Sequence, residues 1–277
     1  MSWLDALIMG IVQGLAEYLP ISSSGHLEIC RDILGLDLNG AEALEFDVAL
    51  HVATVLSTIV VLWREFMPLC VSFFTLRFDN RFFYVCKILV SCIPVAIVGL
   101  CFKDLVESFF GTGLTVVGIC LLVTAALLAF AYFFRTRGEK MPVRESVEDA
   151  DLSITWLDAI VMGIAQAIAV LPGLSRSGST IATGISMGAN RAAVARFSFF
   201  MVIIPILGEA MLGLKDIISG ESATAGTVGA IPLTIGFLAS FIVGCAACKW
   251  MIEIVKKGKL VWFALYCVAV GLLCILW

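Results

Sequence analysis

Charge is scarce in this 277-residue chain. Asp, Glu, Lys and Arg make up 14% of it, while 61% is hydrophobic and the mean hydropathy is +1.04. An average soluble domain is about 25% charged and about 45–50% apolar, so a water-soluble globule is excluded and an integral membrane protein is expected. A basic excess is missing too: 18 Lys and Arg against 22 Asp and Glu give a net charge of −4. That balance cannot neutralise a run of phosphates, so nucleic acid is not an expected partner. Met1 to Asp5 lacks the basic n-region of a cleavable signal, and Asp5, Gln13 and Glu17 interrupt the apolar run, so the start is expected to be mature structure. Histidine is nearly absent, with only His26 and His51.

Cysteine, by contrast, is plentiful. The ten cysteines mostly lie inside apolar runs, where the thiol behaves as a small buried hydrophobe and its pKa rises. Cys245 and Cys248 form a CxxC, but with no His or carboxylate cluster beside them, so packing is expected rather than metal or redox chemistry.

A bilayer core of about 30 Å needs about 20 apolar residues per helix. Six runs qualify as spans: 46–63, 83–102, 113–134, 192–213, 226–248 and 260–277. Two shorter apolar segments, 3–19 and 156–172, run into the irregular stretches PISSSG and PGLSRSG and are candidates for re-entrant helices. Twelve of the eighteen basic residues fall between Trp63 and Lys87, between Arg135 and Asp151, and between Lys249 and Lys259; these segments are assigned to the cytoplasm. The acid-rich segments between them, with Arg31, Lys103 and Lys215, are then outside. Only one full span separates Arg191 from Lys215, so 156–190 must enter and leave on the cytoplasmic side.

The first short segment is settled by an internal repeat. Residues 3–27 (WLDALIMGIVQGLAEYLPISSSGHL) align without gaps on 156–180 (WLDAIVMGIAQAIAVLPGLSRSGST), with twelve identities in twenty-five. Each copy is followed by three spans, and an odd number of spans inverts the second copy. The expected fold is an all-α membrane protein with an inverted-topology repeat: six transmembrane helices and two re-entrant helical hairpins meeting near the midplane. Residues 1–135 form the first repeat with hairpin 3–36, residues 136–153 a charged cytoplasmic linker, and residues 154–277 the second repeat with hairpin 156–190. Asp5 and Asp158, matched between copies, read as helix-start residues.

In a duplicated scaffold the matched positions are architectural, and chemistry is sought in polar mismatches. Glu17 faces Val170, Ser23 faces Arg176, and His26 faces Ser179. One copy supplies a carboxylate and an imidazole, the other a guanidinium, and charges inside a membrane are functional by default. Gln13 and Glu17, four residues apart, share a helix face. Ser22, Ser23, Ser24 and Gly25 in the first tip, and Ser175, Ser177, Gly178 and Thr180 in the second, bring hydroxyls and backbone N–H groups to a helix start, which suits an oxyanion. Arg176 suits phosphate. His51, one turn after Asp47, is a further candidate, with structural and functional readings equally open. With a Glu and a His for proton transfer or attack, the constellation reads as a phosphoryl-transfer site.

QGLAEYLPISSSGH at 13–26 and LPGLSRSGST at 171–180 resemble the two signature motifs of the bacterial undecaprenyl-diphosphate phosphatase, or bacitracin-resistance, family. The resemblance extends to FDVALHVATVLSTIVVLW and RAAVARFSFFMVIIPI and so covers essentially the whole chain. It implies removal of the terminal phosphate of undecaprenyl diphosphate, which recycles the carrier lipid for cell-wall synthesis and confers bacitracin resistance. It also implies a site facing the outer side of the bacterial cytoplasmic membrane; both termini are then expected outside. Carried onto this sequence, it makes Glu17, His26 and Arg176 catalytic, with Ser23 the alternative nucleophile to His26 or an activated water. Gln13, His51 and the tip Ser, Gly and Thr residues above are placed with the substrate-binding set. The family's first acidic position, Glu or Gln, is Gln13 here. A divalent cation, Mg²⁺ or Ca²⁺, is implied with Glu17 as its protein ligand, and no organic cofactor. Expected partners are the lipid substrate, surrounding membrane lipid and, left open, a second copy of the chain. A flippase or other inverted-repeat transporter is the rival class, but transport does not require the asymmetric polar trio. Type-2 phosphatidic-acid phosphatases share similar short motifs but need a His six residues after the Arg, where this chain has Ala182.

Overall fold

The computed structural model describes residues 1–36, 38, 40–102, 113–137, 153–218 and 228–277, excepting the side chains at 40–41, 135–137 and 213–218. The linker residues 138–152 and the charged residues Asp37, Lys103, Asp104, Glu107 and Glu221 lie outside the described residues. The described residues form eleven α-helices: α1 (Trp3–Ala16), α2 (Ser23–Leu34), α3 (Gly40–Val61), α4 (Trp63–Phe74), α5 (Asn80–Cys101), α6 (Leu114–Arg137), α7 (Trp156–Ile168), α8 (Arg176–Ser186), α9 (Arg191–Ile218), α10 (Ala230–Lys256) and α11 (Val261–Leu276). The chain is an all-α, multi-pass membrane protein. The described cysteines are all free, in keeping with packing roles.

Among the described residues, five helices are long and apolar enough to cross a bilayer: those covering Glu42–Val61, Asn80–Cys101, Leu114–Phe134, Arg191–Leu212 and Ala230–Lys256. The sixth expected span, 260–277, is the apolar helix Val261–Leu276, at 16 residues shorter than these five. A second difference lies in 63–87, expected as a cytoplasmic connection. Leu62 alone interrupts the helical path (φ −100°, ψ 22°), and α4 follows at once. It buries Leu69 and Ser72 while exposing Met67, Val71 and Phe74, a face that the alternation of Arg64 and Glu65 with apolar residues obscured.

The two hairpins start identically. Ser2 caps α1 and Thr155 caps α7, each accepting from the N–H of Asp5 or Asp158, whose carboxylate accepts from the cap N–H in return. Both Asp residues are thus helix-start residues. Each hairpin helix then packs on a helix of the opposite half, through small residues that let backbones approach. A Cβ on Gly10 of α1 would lie 2.5 Å from the Gly236 carbonyl oxygen of α10, and Gly14 abuts Ser240 and Gly244. In the other copy, Gly163 of α7 abuts Ser91 of α5.

The third helix expected to span in each half, α6 and α11, meets its own counterpart. A Cβ on Gly118 of α6 would lie 2.6 Å from the Gly271 oxygen of α11, and one on Gly271 would lie 2.8 Å from the Gly118 oxygen. These glycines are 153 residues apart, the offset of the repeat. The tips touch in the same reciprocal way: Gly25 packs on Gly173, and Gly178 packs on Pro20, where Pro20 and Gly173 are themselves repeat mates. Ser177 of the second tip also donates to the Leu19 carbonyl of the first, at 3.3 Å.

Candidate active site

Glu17 follows the last residue of α1, and its carboxylate is buried. Its Oε2 accepts from Ser23 Oγ at 2.7 Å and from Gln13 Nε2 at 2.9 Å. Gln13 reaches it because four residues on a helix is one turn; Ser23 reaches it because the 17–21 turn folds the first residue of α2 back over the end of α1. That turn is strained. Ser22, at its end, sits at φ 69°, ψ 102°, a positive φ outside the regions comfortable for a side-chain-bearing residue, while its repeat mate Ser175 is extended at φ −74°. Opposite, Arg176 Nη2 lies 3.9 Å from Glu17 Oε1. Thus three sequence-predicted residues, Glu17, Ser23 and Arg176, come together across the two tips, with Gln13 behind them.

His51 joins them. Its Nδ1–H donates to the Asp47 carbonyl at 2.7 Å, which turns Nε2 toward Glu17 Oε2 at 3.7 Å. His51 thus stands beside the cluster, its Nε2 buried without a hydrogen-bond partner. His26 does not face the cluster with its ring nitrogens. Its Nδ1–H donates to the Ser22 carbonyl at 2.8 Å, and its Nε2 accepts from the Tyr266 hydroxyl at 2.7 Å, with the two rings stacked at 5.6 Å.

The hydroxyl cradle is partly closed on itself. Ser22 Oγ and Ser175 Oγ act as helix N-caps, accepting from the Gly25 and Gly178 N–H groups at 3.3 and 3.0 Å. Two of the backbone donors expected to face a ligand are therefore occupied. Ser24 and Ser177 each stand 3.4 Å from their own cap serine. Thr180 shares a hydrogen bond with Ser198 at 2.6 Å.

A cavity lies against this cluster. Glu17, Arg176, Ser177 and Thr180 line its polar part together with Tyr18, Thr54, Thr58, Gln166 and Ser198, and Val55, Phe199, Val202 and Ile206 line the rest. Tyr18 is fixed there by donating to the Thr54 carbonyl at 2.6 Å and by contacts with Ser57 and Thr58 hydroxyls. Sequence reasoning missed Thr54, Thr58, Gln166 and Ser198. The spacing of Thr54, Ser57 and Thr58 on one helical face was a usable signal, and so was the identity of Gln166 with Gln13; nothing local pointed to Ser198.

Among the described residues no group of three or more His, Cys, Asp or Glu could hold a metal ion. The acid here is Glu17 alone, but Gln13 Oε1 beside it is buried without a hydrogen-bond partner. One carboxylate and one free amide oxygen fit a hard cation that takes its other ligands from phosphate and water.

Comparison with known proteins agrees with this chemistry. A family model described as bacitracin resistance protein BacA matches residues 6–273. A protein of Parabacteroides distasonis named undecaprenyl-diphosphatase is 53% identical over 275 residues, 99% of this chain and 98% of that one. The proteins of the same name from Bacteroides thetaiotaomicron and Oceanobacillus iheyensis are 51% and 36% identical, covering 98% and 96% of this chain and 97% and 93% of theirs. Matched over nearly its whole length by the model and by these relatives, the chain belongs to the bacitracin resistance protein BacA family.

Proposed function

We propose that this protein hydrolyses undecaprenyl diphosphate to undecaprenyl phosphate and inorganic phosphate, recycling the carrier lipid for cell-wall synthesis and thereby conferring resistance to bacitracin. The relatives' names support the reaction. The observation that carries it in this chain is the Ser23–Glu17 hydrogen bond of 2.7 Å with Arg176 across from it: a nucleophile, a base and a phosphate-binding guanidinium in one buried place.

The geometry favours Ser23 over His26 as nucleophile, because Ser23 faces its base while the free nitrogen of His26 is occupied by Tyr266. Arg176 binds the terminal phosphoryl group and stabilises the charge that builds on its oxygens. Glu17 takes the proton from Ser23 Oγ as that oxygen bonds to phosphorus, the bridging P–O bond breaks, and undecaprenyl phosphate leaves. Once Glu17 has given up that proton, it takes one from water as the water oxygen bonds to phosphorus, the bond from phosphorus to Ser23 Oγ breaks, Glu17 returns the proton to Ser23 Oγ, and phosphate is released. His51 Nε2 gives Glu17 a route for handing on its proton. His26, bonded to the Ser22 carbonyl, holds the strained turn that presents Ser23. A Mg²⁺ or Ca²⁺ ion held by Glu17 and Gln13 supplies charge neutralisation of the diphosphate when bound.

The proposed setting is the bacterial cytoplasmic membrane with the site and both termini on the outer side; the distribution of Lys and Arg, the internal repeat and the family resemblance support that orientation. The test is phosphate release from undecaprenyl diphosphate in detergent micelles with divalent cation present. Wild type should release phosphate, and folded Glu17→Ala and Arg176→Ala should each fall at least about 100-fold. A folded, inactive wild type would overturn the reading.

A further inference from the structure

The repeat sets the same glutamine at the same place twice, with different partners. Gln13 and Gln166 are mates at the offset of 153, and each lies four residues before the position where the copies diverge from Glu17 to Val170. In the first copy the amide Nε2 of Gln13 donates to the Glu17 carboxylate at 2.9 Å. In the second copy Val170 stands where the acceptor was, and Gln166 Nε2 is buried with no hydrogen-bond partner. Gln166 is 1% exposed and lines the cavity together with Arg176 and Glu17.

A buried N–H group without a partner is rare and unfavourable, so a site that keeps one points to an acceptor that arrives later. The acceptor must be an oxygen, because an amide nitrogen cannot ligate a cation. Arg176 in the same cavity selects an anion. We propose that Gln166 is a substrate-binding residue whose side-chain amide donates to a phosphate oxygen of the diphosphate, so that the substrate supplies in the second copy the acceptor that Glu17 supplies in the first. The proposal rests on the hydrolase reading. Gln166 adds grip without adding charge, leaving Arg176 as the single positive group from its copy. Val170 is part of the same device: a carboxylate there would occupy the amide and repel the phosphate.

The test uses the full chain in detergent, titrated with undecaprenyl diphosphate and, separately, with inorganic phosphate as competing product. Gln166→Leu keeps the bulk and removes the donor. The expected result is a fall of about 10- to 100-fold in kcat/KM and a parallel weakening of inhibition by inorganic phosphate. The thermal midpoint should not fall, because the substitution removes an unpartnered polar group from the interior. Gln166→Glu should lose more activity than Gln166→Leu, since its carboxylate meets the phosphate. The proposal is overturned if Gln166→Leu keeps kcat/KM and phosphate inhibition within about twofold of wild type, the outcome for an amide that serves only water. It is equally overturned if activity falls only in step with the melting temperature, the mark of a structural residue. Failure of wild type to release phosphate defeats the hydrolase reading itself, and this proposal with it.

Discussion

The hairpin of α1 and α2 and the hairpin of α7 and α8 share a cap, a helix length within one residue, a serine N-cap on the second helix and a contact with the opposite tip. They part where α1 and α7 end. There the first copy turns through a strained Ser22 to set Ser23 on Glu17, while the second takes an unstrained Ser175 and extends Arg176. The lesson is a division of labour. Matched residues build a frame that either copy could use, and in the proposed mechanism mismatched residues give the reacting atoms to the first copy and the grip on phosphate to the second.

The largest effect that would sharpen this division is loss of the nucleophile. Ser23→Ala should lower phosphate release by about 1000-fold or more, whereas Ser24→Ala and Ser177→Ala, the matched pair, should lose similar and far smaller amounts. A Ser177→Ala loss rivalling that of Ser23→Ala would put reacting atoms in the second copy.

The frame should respond evenly in both halves. Gly118→Val and Gly271→Val each push methyl groups into the partner backbone, and each should cost about 1–3 kcal/mol, read as matching drops in thermal midpoint in detergent. Ser2→Ala and Thr155→Ala should each cost about 1 kcal/mol through loss of the same cap, and a large inequality between them would break the equivalence of the hairpins.

The smallest effect is a pH dependence confined to one half. Asp79 caps α5, and its carboxyl is held below the usual range by the Ser72 hydroxyl and then by the Phe82 N–H. Gly229, at the corresponding start of α10, makes no side-chain cap bond. A carboxyl with a lowered folded pKa contributes above its unfolded pKa and loses that contribution as pH falls through the folded value. Stability measured from neutral to acid pH should therefore carry a small Asp79 component that Asp79→Asn removes.

Much of this was legible from twenty-five aligned residues. The repeat named the hairpins, and its polar mismatches named Glu17, Ser23 and Arg176, because a local motif fixes helix faces and helix starts. What local spacing could not give was contact between distant segments. His26 lies 240 residues from the Tyr266 hydroxyl that holds its ring, and Ser198 reaches Thr180 from another helix. The amphipathic α4 was hidden for a different reason: composition marks apolar runs but not where one residue, Leu62, breaks the helical path.

The central claim is that the reacting oxygen belongs to the first copy, on Ser23. Undecaprenyl diphosphate labelled in its terminal phosphate, mixed with the enzyme and quenched within a turnover, tests it directly. The account predicts an acid-stable label recovered as phosphoserine in the peptide that contains Ser23. An acid-labile label recovered as phosphohistidine at His26 would contradict it.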